Sequence, residues 1–176
     1  MWQKLTLELN DVLRAFLPYP IGWLTETQNL TQKLKDTFSD YQFQLVTKTW
    51  RKLNSTEIEL FGREEKPCEG LAYVRSVLHK SGEKTLVNGF SIVPKATYDR
   101  LSTELGDLGD RPIGGALLYG NPRITRSDFY FQPCEKGWQR ASIFSYLHEG
   151  QTYPLMVLEQ FVGIPLKCLH DVTPSL

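Results

Sequence analysis

The stretch Pro154-Leu-Met-Val-Leu-Glu-Gln-Phe161 sets one carboxylate into a run of apolar, strand-forming residues. Side chains alternate along a strand, so Leu155, Val157, Glu159 and Phe161 share a face. Three of these four are strongly apolar, which directs Glu159 toward a core. A buried carboxylate without compensation costs several kcal/mol. It therefore calls for a proton, a cation or hydrogen-bond donors. The other solution is an edge strand with Glu159 at its wet end, since Glu is seldom fully buried.

A second stretch offers a cation. Leu71-Ala-Tyr-Val-Arg-Ser-Val-Leu78 reads as a strand bounded by Gly70 and by the turn Lys80-Ser-Gly-Glu83. Arg75 falls on the face of Leu71, Tyr73 and Val77, as out of place there as Glu159 is on its own strand. Two such residues suggest a polar pocket inside a sheet protein. Arg75 then pairs with Glu159, with a ligand carboxylate, or with both. A purely structural buried ion pair is the alternative.

The chain has 176 residues, enough for one domain with a sizeable core. Lys+Arg and Asp+Glu both number 20, so the net charge is zero and no basic run points to nucleic acid. The cysteines, Cys68, Cys134 and Cys168, are far apart and lack zinc-ligand spacing. Free thiols fit a reducing compartment. Glu8 and Asp11 interrupt the N-terminus, so no signal peptide is expected, and no stretch reaches membrane-spanning length. A cytoplasmic protein without a membrane span, acting as a monomer, is the expectation.

In chain order, residues 1–17 read as an amphipathic helix ended by Pro18 and Pro20, through Trp2, Leu5, Leu9, Val12, Leu13 and Phe16. Residues 1–20 thus form a helical segment, 21–165 the main domain and 166–176 a tail. A short helical piece includes residues 22–25, and another runs from an Asn29 N-cap to Asp36. Such a pair forms a lid over a site or a plain helical corner. Strands are expected at 41–50, 71–79 and 84–93, with a possible helix near 57–61. A helix over 97–105 should stop at Gly106. Asp110-Arg-Pro-Ile-Gly-Gly115 resembles a capped helix start whose glycines let a ligand anion approach. Strands at about 123–132, 138–148 and 153–162 complete an α+β chain, a single mostly antiparallel β-sheet with flanking helices. Trp23, Trp50 and Trp138 read as core residues.

No phosphate loop, dinucleotide fingerprint, Gly-x-Ser-x-Gly or His-Glu-x-x-His occurs, and His79, His148 and His170 are scattered. Taken together, the residues resemble the chorismate lyase (chorismate–pyruvate lyase) family over roughly residues 21–165. The resemblance rests on Trp23-Leu24 with Leu30-Thr31, on Val74-Arg75-Ser-Val-Leu78 and on Ile92-Val-Pro94. It continues through Leu105-Gly106, Pro112-Ile-Gly114, Thr125-Arg126, Trp138 and Arg140-Ala-Ser142, and closes with residues 154–161.

The resemblance implies a lyase that converts chorismate to 4-hydroxybenzoate and pyruvate for ubiquinone biosynthesis, with no metal and no cofactor. It implies an antiparallel sheet that encloses the ligand under helical flaps. Arg75 would bind a ligand carboxylate and Glu159 would face the ring hydroxyl, these two being the catalytic candidates. Ile113 and Gly114 would add backbone contact, and Leu30 would occupy the flap. Relatives usually carry an arginine where this chain has Phe90. Chorismate has two carboxylates, so Arg123, Arg126, Arg140 or His79 would have to replace it, or the phenyl ring fills the space as core. A non-catalytic binding module for a small aromatic carboxylate, or a lyase for a related ligand, is the alternative on the same fold.

Overall fold

The computed structural model describes residues 1–4, 21–64, 66, 68–135 and 137–164. Their strands are β1 (Gln3–Lys4), β2 (Tyr41–Lys52), β3 (Leu71–Ser81), β4 (Lys84–Pro94), β5 (Ile124–Arg126), β6 (Tyr130–Cys134), β7 (Gly137–His148) and β8 (Gln151–Phe161). Helices are α1 (Ile21–Leu24), α2 (Leu30–Thr37), α3 (Ser55–Arg63), α4 (Lys95–Arg100) and α5 (Ser102–Asp107), followed by a π-helical turn at Gly114–Leu118. The strands make one sheet in the order β1-β6-β7-β8-β4-β3-β2, with β5 also on β7. Every pairing is antiparallel, so the expected α+β architecture holds.

Short turns fix the register. β7 passes to β8 through Glu149 at φ 49° and Gly150 at φ 75°. Two successive left-handed residues match the right-handed twist of a hairpin, and the second glycine relieves the steric cost at one of them. Arg140 is thereby set directly opposite Glu159, and Ser142 opposite Val157. Pairing of β4 with β8 sets Gly89 opposite Glu159 and Ser91 opposite Val157.

Strand alternation then sorts the side chains. Ala72, Val74, Ile92, Ala141, Ile143 and Met156 bury one face of the sheet against Leu60 and Phe61 of α3. The opposite face carries two apolar clusters. Trp23, Leu24, Leu30 and Leu34 of α1 and α2 pack on Val87, Phe131 and Phe161. Leu101, Leu105, Leu108 and Ile113 pack on Val93, Phe144 and Leu155. Leu155, Glu159 and Phe161 share that second face, as the sequence implied.

Several expectations change. Gln3 and Lys4 are a strand on β6, so residues 1–17 are not one helix from the start: the backbone pairs with Phe131 and Tyr130 instead. The rest of that helix, and the tail, lie outside the described residues. The single helix over 97–105 is two, broken at the fully buried Leu101. Gly106 lies inside α5, and the left-handed glycine is Gly109 at φ 54°. The expected strand at 123–132 splits into β5 and β6. Ser127 bridges the gap: its N–H donates to the Ile143 carbonyl at 2.8 Å, and its hydroxyl accepts from the Ile143 N–H at 3.0 Å. Trp50 is 41% exposed, because β2 is an edge strand, and it packs on Tyr73 and Tyr98. Trp23 is buried and Trp138 partly buried.

Candidate active site

Between the two apolar clusters lies a cavity of about 50 Å³. Its floor is the sheet face that carries Arg75, Val77 and His79 from β3, Gly89 and Ser91 from β4, Val157 and Glu159 from β8, and Arg140 and Ser142 from β7. Its roof is Asn29, Leu30 and Thr31 at the start of α2, with Ile113, Gly114 and Tyr119 around the π-helical turn. Arg75, Glu159, Ile113, Gly114 and Leu30, singled out from sequence, thus border one cavity.

The roof is shaped by capping. Asn29 is the N-cap of α2, and its side-chain oxygen accepts from the Thr31 and Gln32 N–H groups. A Cβ on Gly115 would stand 2.9 Å from the Asn29 amide nitrogen, and one on Gly114 would stand 3.1 Å from the Tyr119 ring. These glycines let the turn close against the α2 cap, a packing reason beside any ligand contact. Asp110 is no cap. Its carboxylate is exposed and 3.7 Å from Lys48, and the turn begins at Ile113 without side-chain capping.

Glu159 is paired, but with Arg140 and not with Arg75. Arg140 Nε donates to Glu159 Oε2 at 2.5 Å. Arg140 Nη1 also donates to the carbonyls of Trp23, Leu24 and Glu26 at 3.3, 2.9 and 2.8 Å, tying the end of α1 to the sheet. Its guanidinium stands 4.4 Å from the centre of the Phe129 ring. The pairing left open between Arg75 and Glu159 is thus not formed: Arg140 lies directly across from Glu159, whereas Arg75 is on β3, with β4 between.

Arg75 is 1% exposed. Its Nη2 donates to the carbonyls of Gly109 and Arg111 at 3.0 and 3.1 Å, and its Nε is buried without a partner. Among the described residues it has no carboxylate in ion-pair contact. Burial pulls its pKa below the usual arginine value, opposed by nearby Tyr73 and Asp110. Arg75 thus borders the cavity as a buried guanidinium with no carboxylate in ion-pair contact among the described residues, an arrangement that is costly for the fold.

His79 and Phe90 differ from their expected parts. His79 Nδ1 is 2.7 Å from the Tyr41 hydroxyl. Burial pushes its pKa down to about 4, against the pull of Glu159, so the ring is neutral at pH 7 and is no replacement cation. Phe90 borders the cavity but alternates with Gly89 and Ser91, and its ring packs against the apolar cluster on the other sheet face. The core alternative for Phe90 is the one the structure supports. Arg126 reaches two rings of the cavity lining from outside it. Its guanidinium is 4.5 Å from the Phe129 ring centre and its Nη1 donates to the Tyr119 hydroxyl at 3.4 Å, and both rings line the cavity.

Ser91 and Ser142 are buried polar floor residues that the sequence reading passed over. The same signal that exposed Arg75 marks Ser142 and Arg140: they alternate with Trp138 and Phe144. Among the described residues no group of three or more His, Cys, Asp or Glu could hold a metal ion. No helix among them is long and apolar enough to cross a membrane.

A probable chorismate pyruvate-lyase of Coxiella burnetii is 29% identical over 157 residues, covering 80% of this chain and 80% of the relative. A chorismate pyruvate-lyase of Pectobacterium carotovorum is 28% identical over 149 residues, covering 84% of this chain and 80% of its own. A solved structure described as a possible transcriptional regulator YydK from Bacillus subtilis covers 72% of this chain and 63% of its own at a TM-score of 0.41 and 13% identity. The family model described as chorismate lyase matches residues 1–166, and the chain belongs to the chorismate lyase family.

Proposed function

We propose that the protein is a chorismate lyase that releases pyruvate from chorismate and leaves 4-hydroxybenzoate. The observation that carries this reading is the buried Arg75, with no carboxylate in ion-pair contact among the described residues, lining the same cavity as Glu159. Family membership over residues 1–166 supports it.

The chemistry fits such a cavity. The C–O bond to the enolpyruvyl group breaks, the proton on the neighbouring ring carbon leaves, and the ring becomes aromatic. The leaving enolpyruvate takes up a proton on carbon and becomes pyruvate. Aromatisation drives the reaction, so the protein mainly orients the dianion, keeps water out and helps to move one proton. In this reading Arg75 holds the ring carboxylate with donors its carbonyl partners leave free. Glu159, held by Arg140, accepts a hydrogen bond from the ring hydroxyl. Leu30, Ile113 and Gly114 close the roof. Supply of a quinone pathway, a cytoplasmic location and a monomeric state belong to the same proposal.

Purified protein incubated with chorismate should release pyruvate and 4-hydroxybenzoate in equal amounts. Pyruvate no faster than the uncatalysed background removes the enzyme reading. Calorimetric binding of 4-hydroxybenzoate without turnover would instead support a binding module.

A further inference from the structure

We propose that His79 contacts the substrate and determines specificity, its Nε2 donating a hydrogen bond to the hydroxyl on the ligand ring opposite the ring carboxylate. The inference rests on the chorismate lyase reading of the cavity and assigns a contact that the reading leaves open.

The placement follows from β3. His79 lies four residues beyond Arg75 on the same sheet face, with Val77 between them, so the two side chains stem from points about 13 Å apart. A step of two residues is about 7 Å, the scale of a benzoate ring with its para substituent. A ring whose carboxylate meets Arg75 therefore ends over the row Val77, Gly89, Glu159 and Arg140, short of His79. Gly89 keeps that row open. A Cβ there would meet Val77 at 2.8 Å and would stand 3.6 Å from His79 Nε2. The imidazole nitrogen thus overhangs the row that contains Glu159.

The imidazole is held for this task. The Tyr41 hydroxyl is 2.7 Å from Nδ1, and the Phe43 ring meets the imidazole edge to face at 5.4 Å. Tyr41 stays protonated, because burial raises its pKa, with the Thr31 side chain of the roof beside it. With the phenol O–H donating to Nδ1, the hydrogen of the neutral ring sits on Nε2, the tautomer that this proposal takes. Among the described residues Nε2 has no hydrogen-bond partner, and His79 lines the cavity. Glu159 accepts only, and Nε2–H donates only. A hydroxyl has one hydrogen to give and lone pairs to receive, so it satisfies both at once. A second carboxylate would be repelled by Glu159, which makes the hydroxyl the better match.

The test pairs two ligands with three proteins. Calorimetry measures 4-hydroxybenzoate and benzoate on the wild type, His79→Leu and His79→Gln. The wild type should prefer 4-hydroxybenzoate. In His79→Leu the preference should fall about 5-fold to 10-fold, the scale of one hydrogen bond, with benzoate affinity kept. His79→Gln, which can still donate, should recover part of the preference. Equal weakening of both acids would mean that His79 only packs, and an unchanged preference would mean that Nε2 does not touch the hydroxyl. Either result overturns the proposal while leaving the lyase reading intact. Binding of neither acid to the folded wild type removes the reading of the cavity, and this contact with it.

Discussion

Arg140 reaches Glu159 from the directly opposed position on β7, and the same guanidinium caps three carbonyls at the end of α1 and just beyond it. It neutralises the carboxylate and anchors the helical roof. Arg140→Leu leaves a buried carboxylate and three carbonyls without their donor. We expect a loss of about 3–5 kcal/mol in denaturant unfolding. Glu159→Gln keeps an acceptor for Nε and should cost less, about 1–3 kcal/mol. The reverse order would show that the carboxylate charge, not the carbonyls, is the main partner of Arg140.

Arg75→Lys tests the anion site. A stability cost is expected too, because Nη2 of this buried residue holds the Gly109 and Arg111 carbonyls. Lysine presents a point charge and no planar fork. The melting temperature should drop, and 4-hydroxybenzoate should bind at least about 10-fold more weakly, the value of a charged hydrogen bond. A lower melting temperature with unchanged affinity would make Arg75 structural only.

Phe90→Arg tests which sheet face matters. The arginine would enter the apolar cluster of Ala72, Val74, Ile92 and Met156. An unpaired charge there should unfold the protein at lower denaturant and leave KM for chorismate no better. A lower KM at unchanged stability would place the new guanidinium in the cavity.

The second carboxylate of chorismate should depend on Arg126. Arg126→Ala should raise KM for chorismate by about 10-fold or more, as for a lost charged hydrogen bond. Inhibition by 4-hydroxybenzoate, which has one carboxylate, should change far less. Equal changes for both would assign Arg126 to packing on Phe129 and Tyr119.

Acid should weaken the fold through His79, which faces Tyr41, Phe43 and Glu159. Its folded pKa is pushed down to about 4, below the ordinary histidine value. Between pH 6.5 and about 4 the unfolded chain binds the extra proton, so stability falls as pH falls through that window. The effect is about 3 kcal/mol at most. Unfolding curves of wild type and His79→Leu across this range should converge toward low pH. A constant gap between them would show that the imidazole titrates alike in the folded and the unfolded chain.

Much of this was legible in the chain. Period-two alternation marked β2, β3, β4, β7 and β8. It placed Glu159 on the face of Leu155 and Arg75 on the face of Tyr73, because side-chain direction along a strand is a local property. Asn29 announced the cap of α2, since its oxygen satisfies N–H groups within its own first turn. The ordered motifs from Trp23 to Phe161 were enough to point to the family.

Partner choice was not legible. Arg75 and Glu159 suggested a pair, but register decided which pair formed. Hairpin closure at Glu149-Gly150 put Arg140 opposite Glu159, while β4 came between Glu159 and Arg75. Asp110 had the composition of a cap, yet the backbone turned three residues later, where the π-helical turn could pack on Asn29 and the core. Phe90 borders the cavity yet packs its ring against the cluster on the other face, because a single residue of offset moves a strand side chain to that face. Alternation within a strand is set by bonded neighbours and can be read from sequence. Charge pairing depends on residues brought together across strands, and only the closed sheet fixes those.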